Sequence, residues 1–178
     1  MIKKYLVFSI LVIFTACAKI SLQEQEIKNV IGKKLKLTMF DTILHGTDEI
    51  MFSDFRKKFK YISVVYLEDG CTPCYPKFME WHKHREKIKS LKEYEVLFVI
   101  QGYNYDSFKS AVEEVESWYN DYYIIMDPYL KFVEHNDIPV WIMNSSLLID
   151  SKNKIKSVGS PFASEKMESF FNRTISSN

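Results

Sequence analysis

Apolar positions along this chain fall into runs that switch between two periods. Residues 61–67, Tyr-Ile-Ser-Val-Val-Tyr-Leu, are an almost unbroken run of β-branched and aromatic side chains, which reads as a buried strand. Residues 94–100, Tyr-Glu-Val-Leu-Phe-Val-Ile, repeat that signature, and residues 122–126 give a third strand closed by Asp127-Pro128. Between the second and third, Phe108, Val112, Val115 and Trp118 recur at helical spacing and predict a helix over 106–119. Residues 79–88 are helix-compatible, 51–59 suit a turn or two of helix, and 129–134 suit a short one. Residues 141–150 and 154–158 predict a hairpin around Ser151-Lys152-Asn153. A final amphipathic helix is expected over 163–175, with Met167, Phe170, Phe171 and Ile175 near one face.

Ahead of the first buried strand the pattern is weaker. Residues 31–37 alternate in their second half like a half-exposed strand, and residues 40–44 are largely apolar. Strands alternating with helices imply parallel pairing through crossovers, and the late hairpin adds an antiparallel edge. The fold class is therefore α/β, a central mixed sheet flanked by helices.

The N-terminus reads as targeting, not as fold. Lys3 and Lys4 precede an apolar run over residues 5–14 that is too short for an ordinary membrane-spanning helix. It closes as Ile13-Phe14-Thr15-Ala16-Cys17. Small residues directly before a cysteine resemble the lipobox of bacterial lipoproteins, with Phe14 where Leu is usual. That resemblance implies cleavage before Cys17, lipidation of Cys17, and a domain held outside the cytoplasm in the cell envelope. The competing reading is ordinary secretory cleavage that leaves a free thiol. On this division residues 1–16 are signal, 17–30 the lipidated cysteine and a polar tether, flexible or briefly helical with a solvated spacer the preferred reading, and 31–178 one domain. A length of 178 residues suits that division.

Composition narrows the function classes. Hydrophobic residues make up 47% of the chain, enough for a sizeable core, and the net charge of +1 with no basic patch gives no support for nucleic-acid binding. Three cysteines are present, and a lipidated Cys17 leaves one clean pair, Cys71 and Cys74.

That pair carries the chemistry. Gly70-Cys71-Thr72-Pro73-Cys74 joins the first buried strand to a helix-compatible stretch. Two residues between cysteines let the sulfurs meet when the first sits at a helix start and the second one turn on. The helix terminus favours a thiolate at Cys71, the attacking species in disulfide exchange, and Cys74 would resolve the mixed disulfide. Pro73 suits a first helical turn, but Pro76 falls where a helix begun at Thr72 already needs a backbone N–H. Either that helix bends or its regular part starts later, and the second case weakens the dipole argument. Two other readings stand beside exchange: a static disulfide, and half of a zinc site. Zinc would need His82 and His84, which point to roughly opposite helix faces, and no second cysteine pair exists.

Taken together, residues 31–175 resemble the thioredoxin-like superfamily, nearest to the membrane-anchored redoxin-type proteins of bacteria. Three stretches carry the resemblance: residues 70–74, the hairpin over 146–155, and Val158-Gly159-Ser160-Pro161. It implies a thioredoxin-like fold with Cys71 as nucleophile and Cys74 as resolver, acting on protein thiols or disulfides and regenerated by a redox-recycling partner. No cofactor or metal is implied. The chain departs from the family twice. Gly70 stands where an aromatic usually precedes the first cysteine, and Asn144 stands where a cis-proline is usual. The nearest proline, Pro139, lies five residues too early, so Asn144 or Ser145 is expected to face the cysteines.

These departures keep a second function class open, a non-catalytic thioredoxin-fold binding module with a structural disulfide. Its partner patch would be Trp118, Tyr119, Tyr122 and Tyr123, although core packing suits most of these. A peroxidase-type redoxin needs a Thr or Ser shortly before its cysteine, which Leu67-Glu68-Asp69-Gly70 does not supply. Glu68 or Asp69 could shuttle the Cys74 proton or, as solvated loop acids, do nothing. His45 is expected exposed in a turn, and His135 as a cap or a solvated side chain.

Overall fold

The computed structural model describes residues 21–68, 74–114 and 121–176. These residues build a seven-stranded mixed sheet. Its strands are β1 (Thr42–His45), β2 (Asp48–Met51), β3 (Tyr61–Glu68), β4 (Tyr94–Gln101), β5 (Tyr123–Met126), β6 (Leu147–Ile149) and β7 (Ile155–Val158). Across the sheet the order is β2-β1-β5-β4-β3-β6-β7. The two long strands pair in parallel from Tyr61 opposite Tyr94 to Glu68 opposite Gln101, and β4 pairs in parallel with β5. The remaining pairs are antiparallel.

The continuous apolar runs are explained by this position. Every residue from Tyr61 to Leu67 and from Tyr94 to Ile100 is buried, because helices cover both faces of the parallel centre. One face packs Ile62, Val64 and Leu97 against α1 (Leu22–Val30), α2 (Phe52–Lys58), α6 (Lys131–His135) and α7 (Val140–Met143). The other packs Val65, Phe98 and Ile100 against α3 (Cys74–Lys83), α4 (Arg85–Ser90), α5 (Tyr105–Glu113) and α8 (Glu165–Ser176). Phe55, Phe78 and Phe108 are fully buried at these helix contacts. Each such side chain contributes about 1.5–3 kcal/mol by leaving water.

Two expectations change. Residues 22–30 are not a solvated spacer but helix α1. Ser21 and Glu24 close a capping box at its start, and Val30 and Ile27 pack into the core. Periodicity could not announce this helix, because it buries few side chains. The later hairpin also begins further along than Trp141: residues Val140–Met143 are a short helix, and the strand starts at Leu147. Pro139 starts that helix as its cap, which fits proline's fixed φ.

The alternation over 31–37 is real as burial, since Leu35 and Leu37 are fully enclosed. It makes only one bridge, Lys34 with Lys154, and lies along the outer edge of β7 through Gly32 N to Ile155 O and Ile155 N to Lys33 O. That strip covers an edge that would otherwise expose unpaired backbone groups. Arg56 fastens the tip of the β6–β7 hairpin, donating to Asn153 Oδ1 at 2.8 Å and to the carbonyls of Phe59 and Asp150. Burial lowers its pKa, and the nearby Asp150 opposes that shift.

Candidate functional site

Strand β3 lies inside the sheet beside the middle strand β4, with parallel β4 on one side and antiparallel β6 on the other. Its carboxyl end lies on the side where open α/β sheets bind their ligands. The chain leaves that end at Glu68, half-buried, and regular structure resumes at Cys74, the first residue of α3. Cys71, with Asp69, Gly70, Thr72 and Pro73, lies outside the described residues, as does Cys17; of Cys74 only the backbone is described.

The described part of α3 runs from Cys74 to Lys83. Counted from Cys74, Pro76 falls within the first turn, where backbone N–H groups have no intrahelical acceptor.

Helix α3 is held firmly from beneath. Phe78 meets Phe98, Phe108 and Tyr122 with ring centroids 4.9, 5.5 and 5.1 Å apart. His82, buried on the same helix, shares a 2.5 Å hydrogen bond between Nδ1 and the Tyr122 hydroxyl. His84 stacks instead on Phe162, at 3.8 Å. The two imidazoles are engaged in different places, and among the described residues no cluster of three or more His, Cys, Asp or Glu could hold a metal ion.

Lys77, one turn beyond Cys74, reaches across to the next layer. Its Nζ donates to the carbonyls of Tyr66, 2.7 Å away, and Asn144, 2.6 Å away. One ammonium thus pins the end of β3, the motif helix and the loop before β6 together. This brings the backbone of Asn144 to the motif helix, with the Asn144 side chain exposed and Ser145 half-buried. Ser145 Oγ donates back to Trp141 O at 2.8 Å.

No peptide bond among the described residues is cis. The chain turns onto β6 through Ser146, a non-glycine residue at φ 65°, a left-handed conformation that costs roughly 1–2 kcal/mol. Ser146 is 2% exposed, and its hydroxyl finds no partner among the described residues. Its carbonyl accepts from Gly159 N at 3.0 Å. The pattern of apolar and polar positions missed Lys77 and Ser146 alike. Lys77 could have been found as the cation one helical turn from the second cysteine. Ser146 carries no sequence signal for φ above zero.

The carboxyl ends of the two neighbouring parallel strands carry exposed aromatics. Tyr103 follows β4 and Tyr129 follows β5; they are 80% and 67% exposed, with ring centroids 6.2 Å apart. The surface expected from Tyr122 and Tyr123 is not there. Both are buried, at 3% and 7% exposure: Tyr123 begins β5, and Tyr122, just before it, packs against Phe78 and His82. Trp118 and Tyr119 lie outside the described residues. His45 is not in a free turn either: it ends β1, half-buried and stacked on Tyr123 at 4.3 Å. His135 is exposed, and its Nδ1 lies 3.0 Å from Lys131 O within its own helix.

Comparison with known proteins gives fold relatives only. No protein-family model matches the chain, and no curated protein sequence does. Solved structures do match. The thioredoxin domain of a thiol-disulfide oxidoreductase from Bacteroides vulgatus aligns with a TM-score of 0.55 and 17% identity, covering 82% of this chain and 97% of that one. A thiol-disulfide oxidoreductase from Bacteroides fragilis aligns at 0.52 and 14%, covering 77% and 98%. The pneumococcal exposed lipoprotein thioredoxin from Streptococcus pneumoniae aligns at 0.51 and 17%, covering 75% and 96%. With its mixed sheet, its helices on both faces and its cysteine pair following β3 in the sequence, this chain has the thioredoxin-like fold.

Proposed function

We propose that this chain is a lipid-anchored thiol–disulfide oxidoreductase of the cell envelope, working through Cys71 and Cys74. The observation that carries the reading is the position of the pair in the sequence. Cys71 falls in the sequence between the carboxyl end of β3 and α3, and Cys74 is the first described residue of α3, in a fold shared with proteins described as thiol-disulfide oxidoreductases. The exposed lipoprotein thioredoxin among those relatives supports the envelope setting, as does the lipobox-like stretch ending at Cys17. Among the described residues no helix is long and apolar enough to cross a membrane.

In the reducing direction the Cys71 thiolate attacks one sulfur of a substrate disulfide. A mixed disulfide forms, and the substrate's other sulfur leaves as a thiolate and takes up a proton. Cys74, deprotonated, then attacks the Cys71 sulfur, releases the second substrate thiol and closes the Cys71–Cys74 disulfide. Two electrons have passed to the substrate, and an external dithiol partner returns them to the pair. The oxidising direction is the same sequence reversed. An envelope setting favours reduction or exchange.

A specific observation favours a second reading, the non-catalytic binding module. The loop before β6 has Asn144 and a left-handed Ser146, where the superfamily this chain resembles usually has a cis-proline, so a peptide would dock there differently.

The reduction potential separates the two. A fragment from Lys19 onward keeps every described element, since these begin at Ser21. Thiol trapping in glutathione buffers is expected to give a midpoint between about −120 and −270 mV, the range of exchange proteins. A pair that stays oxidised below about −300 mV, as structural disulfides do, would overturn the exchange reading and leave the binding module.

A further inference from the structure

Away from the cysteine pair, α1, β7 and α8 enclose an open groove of about 390 Å³. Its apolar lining is Ile27 and Ile31 from α1 and its cap, Val158 from β7, and Met167 and Phe170 from α8. Ile31 and Phe170 are 42% and 41% exposed. The final helix thus leaves one of its expected core-facing aromatics in solvent while Phe171 is buried. That pattern marks a surface waiting for a partner, not a finished core.

The same groove gathers charge. Among the described residues, Lys156, Lys166 and Arg173 line it and no acidic residue does, in a chain whose net charge is only +1. Of the four acids on the flanking helices, three are engaged elsewhere: Glu24 closes the capping box of α1, Glu26 accepts from Trp141 Nε1 at 2.7 Å, and Glu168 pairs with Lys87. The fourth, Glu165, is at the start of α8 and does not line the groove. An apolar floor with three cations and no anion is complementary to an amphiphile with a negative head group.

The chain's own layout places such molecules nearby. Cys17 stands four positions before Ser21, a reach of about 14 Å when extended. From Ser21 to Ile27 the helix rises about 9 Å more. A diacylated Cys17 would therefore hold the groove within about 25 Å of its lipid, a distance comparable to the thickness of a bilayer's hydrocarbon core.

We infer that this groove docks on the bilayer itself, taking an anionic phospholipid with the acyl region against Ile31, Met167 and Phe170 and the phosphate against Lys156, Lys166 and Arg173. The inference uses the anchored reading of Cys17 for proximity but does not need the anchor for affinity. Docking would set the height and tilt of the domain over the membrane.

The test uses the fragment from Lys19 onward, which carries no lipid. Co-sedimentation is measured with phosphatidylcholine vesicles and with vesicles that also contain phosphatidylglycerol. The expected result is binding to the second and not the first, weakening as salt rises. Lys156→Gln, Lys166→Gln and Arg173→Gln, all at exposed positions, should each lower the affinity about five-fold and together about a hundred-fold. Phe170→Ser should weaken binding without removing its salt dependence. Equal binding to neutral vesicles, no binding to either, or a dimer in solution that Phe170→Ser dissolves would each overturn the proposal. A variant with both Cys71 and Cys74 changed to Ser must bind vesicles as the parent does. The groove variants must keep the parent's rate on a soluble disulfide. Failure of the exchange chemistry and failure of docking are thereby read separately, and the mass of the mature N-terminus reports on the anchor alone.

Discussion

The two ends of the parallel strands solve opposite problems. Where β4 and β5 begin, charge is buried and fully paired. Arg85, 5% exposed, donates to Glu95 at 2.6 Å and to Asp121 at 3.2 Å, and Lys89 reaches Asp121 at 2.6 Å. Burial alone would lower the Arg85 pKa, but hydrogen bonds and attraction from Glu95 and Asp121 outweigh it and raise it. Where the same strands finish, groups are left open. Tyr103 and Tyr129 stand in solvent, Ser146 keeps an unpartnered hydroxyl among the described residues, and Lys77 ties loops together through carbonyls. The closed end uses its polar groups to hold the sheet; the open end, where the proposed exchange centre lies, leaves more of them in solvent. Removing residues from one end should therefore cost stability, and from the other, exchange.

The largest effect is expected at the closed end. Arg85→Ala leaves Glu95 buried without its partner, which costs about 3–5 kcal/mol. In a chain of this length that lowers Tm by about 10 °C, read by thermal or urea unfolding. Replacing Arg85 with Met and Glu95 with Leu together should recover most of the loss, because a well-packed apolar pair avoids the desolvation cost. Neither change should move the reduction potential of the cysteine pair. A shift there would mean that the two ends are coupled and that the division is wrong.

Lys77→Met probes the open end. It removes two hydrogen bonds from a charged donor at a partly exposed position, so the stability loss should be smaller, about 1–2 kcal/mol. Its exchange rate with a peptide disulfide should fall by more than that of Arg85→Ala, compared at a temperature where both are folded. Equal rates for the two variants would remove Lys77 from the site.

How much of this was legible depends on the physics behind each feature. The buried strands were read correctly because a strand covered on both faces admits few polar residues, and residues 61–67 and 94–100 obey that rule almost throughout. Tyr122 and Tyr123 were readable as core for the same reason, and offering them as a partner patch set that rule aside. Helix α1 was not legible as a docked element, since it joins the core through only Ile27 and Val30. The closed charge cluster was invisible because Arg85, Glu95 and Asp121 come from three separate elements, and only the folded crossovers bring them together. Lys77 and Ser146 escaped likewise: a lysine on an amphipathic helix and a serine before a strand look ordinary until their carbonyl partners and φ are known.

A pH titration sharpens the closed end further. Burial alone would raise the Asp121 carboxyl, but the hydrogen bond from Lys89 and the charge of Arg85 outweigh it and hold it below its ordinary value. A carboxyl depressed in the folded state contributes stability that is fully present above its unfolded pKa, about 3.9. That contribution is lost as pH falls through the lower, folded value. Asp121 is partly exposed, so the contribution should be about 1 kcal/mol or less. Asp121→Asn should be slightly less stable than the parent at neutral pH and should show a shallower loss on acidification below about pH 4. Parallel acid limbs for the two proteins would place the acid sensitivity elsewhere.

The smallest effect belongs to Pro76, and it bears on the thiolate. A proline in a helix interior costs about 3 kcal/mol, through a lost hydrogen bond and a clash with the preceding turn. In the first turn neither penalty exists, and the ring also restricts the unfolded chain. If α3 starts at Cys74, the first residue of its described part, Pro76→Ala should be neutral or cost up to about 0.5–1 kcal/mol in urea unfolding. Cys71 would then lie ahead of the helix, and the substitution should leave the pH dependence of its alkylation unchanged. A gain of about 2–3 kcal/mol would mean that the proline is straining a helix whose natural start lies before Cys74. In that case the same variant should lengthen the helix toward Cys71 and bring it under the positive end of the macrodipole. Its alkylation would then persist to lower pH, because the helix terminus stabilises the thiolate. A neutral result assigns any thiolate character of Cys71 to its other surroundings, not to the helix that follows it.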